Sequence, residues 1–335
     1  MNRFDQLIDQ WDERLRKAFT DAVYQIRNAA QIDTIAKMLE RGDIDAALRA
    51  VGIDPLSFRE LERAMEAAFE AGGGDTAKRI PAFRDPSGVR TVFQFAIRNP
   101  VAEAWLRNHS ATLIREIVDD QIAMIRNVLA RGMRQGLNPR SVALDIVGRI
   151  DGATKTRQGG LIGLTSSQEE WVRRYAEDLA SDNPLDALSR TLRDKRFDAM
   201  VRKYAALGEP IPADKIEKMV AAYRNRALRY RAEAIARTEA MRALHQSQDE
   251  AIKQAIEKGI LKADAVGFVW RTARDARVRD SHKSMEGETV AYGQRFTSGS
   301  GAKLRYPGDP NAPASETVNC RCWREPSIDY LAGVT

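Results

Sequence analysis

The sequence predicts a mainly α protein, an elongated helical body with a small α+β domain at its C-terminal end. Three observations carry this. Ala, Arg, Glu and Leu dominate long stretches while aromatics make up only 7%, a balance that favours helix. Apolar residues recur at three- and four-residue steps through most of the chain, the period of one helix face. Beyond Gly259 that period gives way to alternation and to closely spaced Gly and Pro, the pattern of short strands and turns. A chain of 335 residues with 43% hydrophobic content has material for about two or three domains. The boundaries read from composition are a helical region 1–74, a second helical region with a loop 75–164, a third ending in a long Arg-rich helix 165–258, and the α+β domain 259–335.

The first helix is marked by Phe4, Leu7, Ile8, Trp11, Leu15, Phe19, Val23 and Ile26, which share one face; Gly42 ends it or its continuation. Asp54-Pro55 opens the next helix, with proline at the first turn where its missing N–H costs nothing. Gly72-Gly73-Gly74 is expected to stop that helix, and the turn-rich stretch from there to Gly88 reads as a linker. A long helix then spans Pro100 to about Arg131, with an apolar stripe wide enough to need a partner. His109 on it reads as a packed histidine. Asn138-Pro139 is a further helix start, and Asp151–Gly163, rich in Gly, Thr and Lys, reads as a mobile loop. Thr165-Ser166-Ser167-Gln168 has the spacing of a capping box and begins helix that runs toward Gly208.

The last long helix is expected from about Pro212 to Gly259, with Ile216, Val220, Tyr223, Ala227, Tyr230, Ala234, Met241 and Ile252 on its buried side. Its middle holds Arg224, Arg226, Arg229 and Arg231. These form either a solvated face with internal ion pairs or a surface for phosphate or a protein partner. Alternation of Val266, Phe268, Trp270 and Thr272 predicts a half-buried strand. The stretch 273–287 reads as a short helix ended by Gly287, and Glu288–Tyr292 as another strand.

The net charge of +6 and pI near 9.3 permit contact with nucleic acid or an acidic surface without demanding it. The chain start lacks the unbroken apolar core of a secretory leader, and no run reaches the ~20 apolar residues of a membrane span. These features predict synthesis and use in a cytoplasm, where a structural disulfide is not expected.

Both cysteines of the chain fall in one short string, Asn319-Cys320-Arg321-Cys322-Trp323. In an extended strand Cys320 and Cys322 project from one face and Arg321 from the other, with Cα atoms ~6.5–7 Å apart, at the upper edge for a disulfide. Same-face thiols suit a shared metal such as Zn²⁺, which takes Cys, His or carboxylate ligands. His282 is the leading third ligand. Asp275, at i with Arg279 at i+4 and His282 at i+7 on the expected short helix, could orient His282 or complete the site; His245 is a weaker candidate. Packing of both cysteines as small buried hydrophobes is the competing reading. The chain lacks an H-E-x-x-H zinc helix, a G-x-x-x-x-G-K-[ST] phosphate loop and a G-x-S-x-G elbow, so no catalytic residue is assigned and no enzyme is expected.

"ARTEAMRA", "WRTARDARVRDSHKSMEGETV", "RF", "LRYPGDPNAP" and "ETVNCRCW" follow one another in the last third of the chain. This ordered set resembles the phage Mu F-like minor head protein family, also called head morphogenesis proteins. The matching positions are Arg237-Thr238-Glu239, then Trp270, Thr272, Asp275, Arg277 and His282, then the Pro307–Pro310 turn, and Asn319–Cys322. "IGLTSSQEEWV" from Ile162 resembles the segment that often precedes them. The resemblance implies a phage or prophage head protein present in few copies at the portal vertex, acting in head assembly and in some members on the fate of packaged DNA. Its implied partners are the portal protein, capsid proteins and double-stranded DNA, with no membrane. Its implied setting is the host cytoplasm during assembly and then the head interior. The alternative is a metal-dependent hydrolase or nuclease built on His282, Cys320 and Cys322.

Overall fold

The computed structural model describes residues 3–84, 87–152 and 155–329. It is mainly α, with a few small antiparallel sheets gathered mostly toward the C-terminal end. In chain order the helices are α1 (Arg3–Ala29), α2 (Ile32–Glu40), α3 (Ile44–Val51), α4 (Arg59–Ala77), α5 (Pro100–Arg134), α6 (Pro139–Val147), α7 (Ser166–Ala180), α8 (Asp198–Leu207), α9 (Ala213–Glu257), α10 (Asp280–Lys283) and α11 (Ala314–Thr317). The strands are β1 (Phe83–Arg84), β2 (Arg90–Thr91), β3 (Arg149–Ile150), β4 (Arg157–Gln158), β5 (Val266–Thr272), β6 (Thr289–Ala291), β7 (Phe296–Thr297), β8 (Lys303–Leu304) and β9 (Cys322–Ile328).

The chain forms two compact units, the first from Met1–Ala18, Leu61–Ala111 and Glu233–Thr335, the second from Phe19–Glu60 and Thr112–Ala232. In the first unit Phe4 and Ile8 of α1, Phe69 of α4, Met241 and Leu244 of α9, and Phe268 and Trp270 of β5 are all buried. Phe69 stacks on Trp105 of α5 at 5.3 Å between ring centroids. The three-stranded sheet here has the order β6-β5-β9, all antiparallel. Strand β5 buries Val266, Phe268, Trp270 and Thr272 as their alternation predicts, and Thr272 pairs with Cys322 at the start of β9.

The expectation that α4 stops at Gly72-Gly73-Gly74 is corrected: the helix runs through them to Ala77. A Cβ on Gly72 would lie 2.9 Å from backbone atoms of Leu244, and one on Gly73 would strike the Phe95 ring. These glycines are close-packing residues that let α4 approach α9 and Phe95, which local propensity cannot distinguish from a helix stop.

In the second unit Phe19 stacks on Phe58 at 6.1 Å and Tyr175 on Tyr223 at 4.5 Å. The capping box forms as expected: the Gln168 amide N–H donates to Thr165 Oγ1 and the Thr165 N–H to Gln168 Oε1, both at 3.1 Å. The described part of Asp151–Gly163, read from sequence as a mobile loop, carries strand pairing and buried side chains. It closes the β3–β4 hairpin and then buries Leu161 and Ile162. Arg27, wholly buried, donates to the carbonyls of Gly160 (2.8 Å) and Ile162 (3.1 Å through Nε). Burial pulls its pKa down to about 10. Residues 153 and 154 of that loop lie outside the described residues. Tyr230, expected on the buried side of α9, is 45% exposed.

Candidate metal centre

Three side chains of the first unit converge. His282 Nδ1 lies 3.4 Å from Cys320 Sγ and 3.5 Å from Cys322 Sγ, and the ligand atoms of all three lie within 4.8 Å of one another. All three residues are buried, at 0–1% exposure. Among the described residues this is the one cluster of three or more His, Cys, Asp or Glu groups with metal-holding geometry.

Local sequence explains each placement. Cys322 begins β9 and Cys320 stands two residues before it, so the pleat turns both sulfurs inward and Arg321 outward. His282 sits in α10, which is only four residues long. The longer helix expected over 273–287 is therefore corrected. Arg274 adopts a left-handed φ of 53°, and Asp275 caps the turn by accepting from the Arg277 N–H at 3.0 Å. Asp275, Arg279 and His282 consequently share no helix face. The Asp275 carboxylate instead accepts from Arg321 Nε at 2.7 Å, on the opposite side of the strand from the sulfurs. That contact, with the backbone hydrogen bond from Arg277, holds its pKa below the usual carboxylate range. His245 is also outside the cluster. Its Nδ1 lies 2.9 Å from the Met241 carbonyl oxygen and its Nε2 accepts from the Arg324 N–H at 3.2 Å. Both ring nitrogens are thus occupied, and burial together with Arg324 pulls the His245 pKa down to about 3.

Sequence reasoning missed Glu316. Its Oε2 lies 2.8 Å from His282 Nε2, and it accepts from Ser281 Oγ at 2.9 Å and through Oε1 from Ser300 Oγ at 2.7 Å. The Nε2–Oε2 separation is that of an ion pair, while the ring N–H is poorly aligned with the carboxylate oxygen. A carboxylate at this range favours a proton on Nε2 and leaves Nδ1 as the ring nitrogen that faces the sulfurs. Burial alone would raise the Glu316 pKa, but Ser300, Ser281 and His282 hold it below the usual carboxylate range. The only hint in the sequence was an acidic residue four positions before Cys320.

Burial would also raise the Cys320 thiol. Hydrogen bonds from Cys322 and His282 outweigh it and place Cys320 well below the usual thiol range. Cys322, bonded to that sulfur and itself buried, is pushed far up. The pair therefore releases its first proton readily and its second with difficulty. A divalent cation would remove that asymmetry by binding both as thiolates.

Of the other motif residues, Arg237, Thr238, Asn319 and Trp270 adjoin this cluster, and Glu239 and Asp309 are held elsewhere. Arg237 Nε donates to the Cys320 carbonyl at 3.3 Å and the Asn319 N–H donates to Thr238 Oγ1 at 3.2 Å. Asn319 takes a left-handed φ of 55°. Glu239 pairs with His109 Nε2 at 2.6 Å and accepts from Arg242 Nη1 at 2.8 Å, so His109 is a partly buried, paired histidine. Trp270 meets His282 edge-on at 5.3 Å. In the Pro307–Pro310 turn Asp309 is fully buried and accepts from the N–H groups of Arg305 and Asn311, both at 3.0 Å.

Arg224, Arg226, Arg229 and Arg231 of α9 belong to the second unit and are mostly engaged within it. Arg224 donates to Asp145 (3.1 Å) and the Gly159 carbonyl (3.0 Å). Arg226 donates to the Arg193 carbonyl (2.8 Å) and meets Asp194 at 3.2 Å. Arg231 donates to the Gly163 carbonyl at 3.1 Å, and burial pulls its pKa down to about 10. Arg229 is the exposed member.

Fold and site together define a mainly helical protein whose C-terminal α+β elements are organised around a buried Cys-x-Cys and histidine cluster. The family model described as "Phage Mu protein F like protein" matches residues 123–324, and the chain belongs to that family. The match reaches well upstream of the motifs legible in the sequence. Membership points to phage head morphogenesis. Neither the curated proteins nor the solved structures contain a match to the chain. Among the described residues no helix is long and apolar enough to cross a membrane.

Proposed function

We propose that this chain is a minor head protein that associates with the portal vertex during phage head morphogenesis. Its partners in this reading are the portal protein and capsid proteins. Its setting is the host cytoplasm during assembly and then the head interior, where it could influence DNA packaging or ejection. The observation that carries the reading is the family match over residues 123–324.

The role assigned is architectural rather than catalytic. His282, Cys320 and Cys322 are buried, which gives a polymeric substrate no approach and disfavours the hydrolase or nuclease alternative. Double-stranded DNA is the less favoured partner for α9, because Arg224, Arg226 and Arg231 are engaged with carbonyls and carboxylates of their own unit. Salt-sensitive phosphate binding needs free cations.

The test is quantitative mass spectrometry of purified proheads and mature heads, with pull-down of the portal protein by this chain. The expected result is recovery of the chain with portal protein, at far lower copy number than the major capsid protein. Absence from both particle types would overturn the reading.

A further inference from the structure

We infer that His282, Cys320 and Cys322 bind one Zn²⁺ ion through Nδ1 and the two Sγ atoms, and that Glu316 is the positioning residue that presents Nδ1 to the metal. Zinc–sulfur bonds near 2.3 Å and zinc–nitrogen bonds near 2.0–2.1 Å at tetrahedral angles place nitrogen and sulfur about 3.5 Å apart. The two separations here are 3.4 and 3.5 Å. An imidazole nitrogen makes one hydrogen bond to a sulfur, donating through its N–H or accepting through its lone pair. Two sulfurs at equal range from that nitrogen are what a shared cation produces, and a thiol–imidazole hydrogen bond accounts for only one of them.

Charge and softness point the same way. Two thiolates neutralise a 2+ ion, so a buried site gains no net charge on binding, and the thiol protons leave to solvent as the metal enters. Thiolate and imidazole together select zinc over magnesium or calcium, which take oxygen. Glu316 supplies the arrangement typical of metal-bound histidine, a carboxylate on the far ring nitrogen. Its own oxygens are held by Ser281 and Ser300. With three protein ligands the fourth position is left to a solvent molecule or an external ligand. The ion would tie α10 to the start of β9, and Glu316 would bring α11 into the same staple. Because those residues are 38 and 40 positions apart, the site exists only in the folded chain, and binding contributes directly to folding.

The experiment uses the full chain purified without an affinity tag, so its outcome is independent of head association. Elemental analysis is expected to find about one equivalent of zinc. Replacement by Co²⁺ is expected to produce thiolate-to-cobalt charge-transfer absorption in the near ultraviolet. Glu316→Gln, with its fold checked by circular dichroism, is expected to weaken Co²⁺ affinity about 10–100-fold, and Asp275→Asn to leave it unchanged. Less than about a tenth of an equivalent of zinc together with no cobalt band would overturn the metal site. Equal weakening by both variants would overturn the role given to Glu316. Cys322→Ser should abolish the band; if that variant fails to fold, the wild-type titration and Glu316→Gln still decide the matter.

Discussion

Arg237 of α9 donates through Nε to the carbonyl oxygen of Cys320, 83 residues further along the chain, while its Nη1 reaches Asp9 of α1 at 2.8 Å. One arginine therefore ties the Cys-x-Cys turn to two helices of its unit. Removing it leaves the carbonyl of a buried residue without this donor. Arg237→Ala is expected to cost about 1–3 kcal/mol, the range for orphaning a buried acceptor. Arg237→Lys should recover little, since a lysine has no Nε–H fork. Chemical denaturation of the three proteins checks this, and an alanine variant as stable as wild type would remove the tie.

Gly72 and Gly74 of α4 should respond to alanine in opposite directions. A Cβ at Gly72 meets the Leu244 backbone at 2.9 Å, whereas at Gly74 nothing lies within 4 Å. Gly74→Ala is expected to stabilise by about 0.5–1 kcal/mol through helix propensity. Gly72→Ala gains the same propensity and is still expected to be destabilised by about 1–3 kcal/mol from overpacking. Thermal unfolding of both variants decides it; if both stabilise, the close approach of α4 to α9 is wrong.

The arginines of α9 separate by burial. Arg231→Ala deprives the Gly163 carbonyl of its donor and should lower stability by about 1–3 kcal/mol. Arg229→Ala, at an exposed position, should stay within about 0.5 kcal/mol of wild type. Denaturant midpoints for the two variants provide the check, and equal effects would contradict the engaged placement of Arg231.

His245 makes stability depend on pH. Its folded pKa lies near 3 against an ordinary 6.5. Between those values the unfolded chain binds a proton that the folded chain refuses. The contribution is therefore complete above pH 6.5 and is lost as pH falls toward 3. By pH 5 the loss should reach about 2 kcal/mol at 1.36 kcal/mol per unit. Denaturation of wild type and His245→Gln at pH 7.5 and pH 5 measures it. The variant should lose less stability on acidification than wild type, and parallel losses would assign the pH dependence elsewhere.

By itself the sequence determined the helical character of the chain, the capping box at Thr165, the alternating strand Val266–Thr272, and the inward pairing of Cys320 with Cys322. Each of these follows from spacing within a few residues, where periodicity and cap chemistry act locally. It also carried the family resemblance and the link between the two cysteines and His282. Tertiary structure alone decided the rest. It showed that Gly72 and Gly73 continue a helix instead of ending one, because another segment lies too near for a side chain. The buried hydrogen bonds of Arg27 turned the second half of an apparent loop, Gly160 to Ile162, into core. A left-handed turn at Arg274 parted Asp275 from His282, and Glu316 took the place beside the imidazole. Such outcomes depend on which distant residues meet. Local propensities of well under 1 kcal/mol per residue do not encode that; the burial of groups far apart in the chain does.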